Sequence, residues 1–251
     1  ASSATAQPSR NTPFSAARGT LKFLLAIEHA GQALHRHGLE VSGGARMGLP
    51  ILRLPVPPNP NPQKLDYAGF RAIFARVVED LAAAEAELAK VGTGDVKLPI
   101  DLLKIRLDLD GDGRASDYES LGAMVSGMMP MDAPGNTAIA FDTADVYWLR
   151  GYGNFLGAFS QVLLAHDFQA MFDKTFHIYF PRSGLPYADK LRRGASQDMF
   201  VNDEVGDIVA MIHLINWQVV EPERRKDVRV KLTAMADLSR QSWAAARAET
   251  D

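Results

Sequence analysis

The chain is expected to be all-α: a single, predominantly helical domain crossed by a proline-rich extended arm. Three observations predict it. Apolar residues recur at alternating spacings of four and three over much of the sequence. Six prolines crowd between Pro50 and Pro62, where no helix survives them. No repeat of fixed period runs through the chain, which disfavours a solenoid. With 251 residues, 47% hydrophobic and 23% charged, the chain has enough apolar mass for a real core.

Residues 1–16 read as a flexible N-terminal segment and 17–251 as the helical domain. A first helix is predicted over residues 17–37, ending at Gly38; Leu21, Phe23, Leu24, Leu25 and Ile27 cover much of its circumference. The arm follows over 39–65, and because Ile51, Leu52, Leu54 and Val56 are apolar it should pack against the helices. From Phe70 the series Phe70, Phe74, Val77, Leu81, Ala84, Leu88 paints one helix face, with Arg71, Arg76, Glu79, Asp80, Glu85 and Glu87 opposite. Gly92 and Gly94 end that helix. A long helix should start at Asp142 and run to about residue 172. Asp142 is its expected N-cap, and Trp148, Tyr152 and Phe155 are read as core. A short strand is expected near Phe176, then helices over 202–219 and 222–249, Pro222 sitting where a first-turn proline is tolerated.

The formal net charge of -3 gives no reason to expect nucleic acid or an anionic membrane as partner. No cysteine is present, which removes disulfides, thiolate nucleophiles and Cys-ligated metal sites. The most apolar run, residues 156–164, is too short to span a bilayer, so no membrane insertion is expected. The opening ASSATAQPSRNTP, small and polar, reads as the start of a chain trimmed after export. The expected compartment is therefore periplasmic or extracellular, with the cytoplasm as alternative.

One stretch departs from this ordinary pattern. DLDGDGRASDYE, residues 108–119, packs five carboxylates and one arginine into twelve residues. Side chains two apart along a tight turn point at one centre, so Asp108, Asp110 and Asp112 can meet a single hard cation. Gly113 stands where the chain must turn sharply with positive φ.

This loop resembles the calcium loop of the EF-hand family, D-x-[DN]-x-[DN]-G followed after five residues by Glu119. The resemblance implies Ca2+ as ligand, held by Asp108, Asp110 and Asp112. It further implies a backbone carbonyl from Arg114, Ser116 directly or through water, and both oxygens of Glu119. It implies a helix on each side, spanning residues 96–129: LPIDLLKIRL entering and YESLGAMVSGMM leaving. Methionines 124, 128, 129 and 131 crowd the exit helix, where a sensor would open a Met-rich face. Ser116 and Glu119 also form the S-x-x-E capping pattern, so Glu119 is expected to cap its own helix without metal and to ligate with it. EF-hands pair through a β contact at Ala115, and residues 138–145 are either a degenerate second half-site or a plain helix start.

No other chemistry stands out. H-E-x-x-H, G-x-S-x-G, P-loop and dinucleotide glycine patterns are all missing. The expected function is non-catalytic calcium binding, structural or sensory, with a protein partner as a further prospect. Two alternatives stay open. One is an exported enzyme with structural calcium, in which His166, Asp167, His213 or the pair Asp142 and Asp145 converge. The other is a helical interaction scaffold.

Overall fold

A computed structural model describes residues 12–40, 50–101, 104–122, 138–188 and 203–249. Among them are six α-helices and two two-stranded antiparallel sheets, a predominantly helical fold. No helix there is long and apolar enough to cross a membrane.

Helix α1 (Thr12–Arg36) begins five residues ahead of its expected start, so residues 12–16, expected to be flexible, are helical. It buries Ala16, Gly19, Phe23, Ala26, Ala30 and Leu34, a three-and-four spacing that makes one face. Helix α2 (Tyr67–Leu88) starts at Asp66, whose carboxylate accepts the Gly69 N–H at 2.7 Å. The two helices run antiparallel, since Gly19 meets Leu88 and His29 meets Asp80. A Cβ on Gly19 would stand 2.6 Å from Leu88, so only glycine allows this approach. Glu87, assigned to the polar face by its spacing, is instead covered and sits among Arg18, Lys22 and Lys90.

The arm packs as expected wherever it is described; residues 41–49 lie outside. A single 3-10 turn, Pro50–Arg53, places Ile51 and Leu52 in the core. Further on, Asn59 donates to the His35 carbonyl at 2.8 Å and the Gln63 N–H to that of Arg36 at 2.9 Å. The arm thereby satisfies carbonyls that the end of α1 leaves open.

Strand β1 (Lys97–Asp101) lies where the resemblance implied an entering helix. Leu98 and Ile100 are half-buried against the core while Lys97 and Pro99 are exposed, which is strand alternation. Its partner β2 (Ala138–Asp142) pairs Leu98 with Phe141 and Pro99 with Ala140. Proline, having no N–H to give, is tolerated on so short an edge.

Helix α3 (Thr143–Ala165) stops seven residues short of the expected end, at a break formed by β3 (His166–Asp167). The Asp167 carboxylate accepts the Gln169 N–H at 2.9 Å, and the chain restarts as α4 (Gln169–Thr175). A 3-10 turn, Phe176–Ile178, replaces the expected strand. Helix α5 (Asp203–His213) ends early because β4 (Gln218–Val219) leaves to pair with β3. Helix α6 (Glu223–Ala248) matches its prediction.

Antiparallel contacts line α2, α3 and α6 side by side: Glu85 meets Arg150 in the first pair, and Gln161 meets Asp227 in the second. Gly151 and Gly157 let α6 close in, with Leu238 and Lys231 in contact distance of where their Cβ would stand. Beneath this array Phe70, Phe168, Phe172, Phe176 and Phe180 form one aromatic core. Trp148 and Tyr152 are not core as expected; they are 58% and 40% exposed.

Arg71 of α2 closes the break after α3. Its guanidinium donates to the Leu164 carbonyl at 2.7 Å, the His166 carbonyl at 2.9 Å and Glu221 Oε1 at 2.6 Å. Arg224 donates to the other oxygen of Glu221 at 2.6 Å.

Candidate metal centre

Residues 108–119 form a loop whose ends are clasped by an antiparallel bridge, Arg106 opposite Ser120. The Leu107 N–H donates to the Glu119 carbonyl at 3.1 Å, and the Leu121 N–H to that of Ile105 at 2.8 Å. The flanks are thus extended on the entering side, with a 3-10 turn, Asp117–Glu119, on the leaving side. The expected exit helix is described only at residues 121–122; its methionines lie outside the described residues.

Inside the loop each aspartate gathers N–H groups ahead of it. Asp108 Oδ1 accepts from Gly111 and Asp112 at 2.8 and 3.1 Å, and Oδ2 from Gly113 at 3.1 Å. Asp110 Oδ1 accepts from Asp112 at 3.0 Å, and Asp112 Oδ1 from Arg114 at 2.7 Å. Gly111 and Gly113 have φ of 74° and 79°, the left-handed turns this winding needs. As a result, carboxylate oxygens of Asp108, Asp110 and Asp112 lie within 4.8 Å of one another. Two carboxylates at that distance repel by about 1 kcal/mol even in bulk water. Hard oxygen donors around a shared point match the chemistry of a calcium-like ion. Among the described residues this is the group of three or more acids or histidines that converges so.

Glu119 takes a different place. Its side chain is fully buried; Oε1 accepts the Leu109 N–H and Oε2 the Ser116 N–H, each at 2.8 Å. The expected capping box between Ser116 and Glu119 is present, on a 3-10 turn, and the same carboxylate also ties the start of the loop to its end. Arg114 and Ser116 take part through their N–H groups. Exchange of Glu119 for glutamine leaves one N–H facing an amide donor, at a cost of about 1–3 kcal/mol. The expected result is a lower unfolding midpoint for Glu119→Gln even in chelator, read by thermal denaturation. Loss confined to calcium-containing buffer would show that the side chain serves the ion alone.

Three residues of α1 that sequence reading missed hold the loop from behind. Glu28 Oε2 accepts the Asp108 N–H at 2.9 Å, while Gln32 Nε2 donates to the Asp108 carbonyl at 2.8 Å. Between them Gly31 receives Leu109, which is wholly buried; a Cβ there would lie 2.6 Å from its side chain. The spacing 28, 31, 32 places all three on one helix face. That pattern was visible, but nothing local says what it faces.

The other groups considered for chemistry are engaged locally. His166 donates through Nδ1 to the Val162 carbonyl and His213 to that of Val209. Asp142 and Asp145 do meet, as a reciprocal capping box at the start of α3. Residues 138–145 are accordingly a strand and a helix start, the plainer of the two expectations.

Comparison with family models, curated proteins and solved structures finds no match to this chain.

Proposed function

We propose that the chain is a calcium-binding protein whose loop 108–119 holds one Ca2+ in a structural role. The observation that carries this reading is the convergence of the Asp108, Asp110 and Asp112 carboxylates in a turn wound by their own N–H bonds. Calcium supplies the positive charge that relieves their repulsion. Further oxygens come from the Arg114 carbonyl and from Ser116, directly or through water, as in the loops this one resembles. Glu119 either stays as the pin across the loop or exchanges its N–H partners for the ion. Because Asp108 is gripped by Glu28 and Gln32, an ion that stiffens the loop also stiffens its seat on α1.

An ion that binds only the folded loop stabilises it by about 2.7 kcal/mol at a hundredfold excess over Kd. For a chain of this length that corresponds to a rise of about 5–11 °C in Tm. Scanning calorimetry in chelator, then in calcium or magnesium, measures it. Asp108→Asn with Asp112→Asn should abolish the rise. An unchanged Tm at millimolar calcium overturns the proposal.

A further inference from the structure

The aromatic residues that sequence reading placed in the core open a second question. Between α3 and α6 lies a groove of about 510 Å³, within the size of small-molecule sites. Trp148 and Tyr152 line it from α3, Trp243 and Ser242 from α6. The rings of Trp148 and Tyr152 stack at 5.4 Å with planes 9° apart, and Trp243 is 64% exposed. Each of the two packed helices thus carries a tryptophan that is more than half exposed beside the same groove. Tyr152 also stacks on Phe155 at 6.4 Å with planes 23° apart, so its faces are engaged within α3, and Trp148 and Trp243 are the more exposed rings bordering the shared space.

The charge of that space has one sign. Asp142, Asp145 and Glu249 line it, and among the described residues no lysine or arginine does. Arg240 and Arg247 stand past Trp243 in the neighbouring recess, where Arg240 is paired with Asp237. The N-terminal N–H groups of α3 would favour an anion, but they are already taken. Asp142 Oδ1 accepts from Ala144 and Asp145, and Asp145 Oδ2 accepts the Asp142 N–H. Asp142 Oδ2 and Asp145 Oδ1 remain outside that box.

We propose that this groove binds a small organic cation of the quaternary-ammonium type, held between the rings of Trp148, which Tyr152 backs, and Trp243 and the carboxylates of Asp142 and Asp145. The ring quadrupoles attract a cation over their faces, and the carboxylates supply the opposite charge. A quaternary ammonium needs no hydrogen-bond acceptor aimed at it, which suits carboxylates already engaged in a cap. Burial pushes the Asp145 carboxyl above its ordinary range, with the Asp142 charge acting in the same direction. A bound cation offsets the repulsion between the two carboxylates. This inference is independent of the calcium loop.

Tryptophan fluorescence tests it, because two of the three tryptophans line the groove. A Trp217→Phe background removes the third. Titration with choline should give a saturable change, while 3,3-dimethylbutan-1-ol, its neutral isostere, should not. Trp243→Ala, at an exposed position, should weaken choline binding about three- to tenfold. Asp142→Asn keeps an N-cap side chain and removes one charge, and should also weaken it. Circular dichroism confirms that each variant is folded. An equal response to the neutral alcohol, no saturable response to choline, or choline binding unchanged in both variants overturns the proposal.

Discussion

Leu109→Ala is expected to lower stability by about 2–5 kcal/mol, measured by chemical denaturation in chelator. Leu109 is fully buried although it lies inside the acidic loop, between Asp108 and Asp110. Its side chain fills the notch over Gly31, and its N–H is one of the two that Glu119 holds. Truncation leaves a cavity at the seat of the loop, so the same variant should bind calcium more weakly by calorimetric titration. The carboxylates would remain, but the ion would have to order the turn as it binds. Gly31→Ala attacks the contact from the other side by driving a methyl into Leu109, at about 1–3 kcal/mol. A loss below about 0.5 kcal/mol in Leu109→Ala, the size of an ordinary surface change, would show that the loop does not rest on α1.

Arg71→Met is expected to cost about 2–4 kcal/mol, because it leaves the Leu164 and His166 carbonyls without their side-chain donor and removes one of the two arginines on Glu221. Arg71 is 19% exposed along its side chain, and one planar fork reaches the Leu164 and His166 carbonyls and Glu221 together. Lysine, a single point donor, cannot span them, so Arg71→Lys should recover only part of the loss. Acid should reproduce some of the effect. The bond from Arg224, aided by Arg71, holds the Glu221 carboxyl below its usual value. Its contribution is therefore present above the unfolded value of 4.5 and is lost as pH falls through the folded one. In Arg71→Met this acid dependence should shrink without vanishing, since Arg224 remains. Denaturation midpoints followed from pH 7 downward for both proteins measure it. An Arg71→Met protein as stable as the parent at pH 7 would show that these bonds exchange freely with water.

Much of the architecture was legible because it is local. The face Phe70, Phe74, Val77, Leu81, Ala84, Leu88 is the buried face of α2, and Asp142 caps α3 as its position suggested. The errors have a common cause. LPIDLLKIRL has enough apolar residues for a helix, but its partner strand lies about forty residues on, and that pairing overrode the local preference. The helix expected from Asp142 to residue 172 breaks at Ala165, where Arg71 and Glu221, both remote in sequence, take up its last carbonyls. Trp148 and Tyr152 sit a turn apart as core residues often do, yet α6 arrives at Gly151 and leaves them open to solvent.

The order of amino acids alone determined that Asp108, Asp110 and Asp112 meet, because alternate side chains on a glycine turn reach a common point whatever lies behind them. Tertiary structure alone decided what lies behind: Glu28, Gly31 and Gln32, some eighty residues upstream, and a glutamate folded inward onto Leu109. Contacts across such distances follow from how whole helices pack, and leave no period in the sequence to be read.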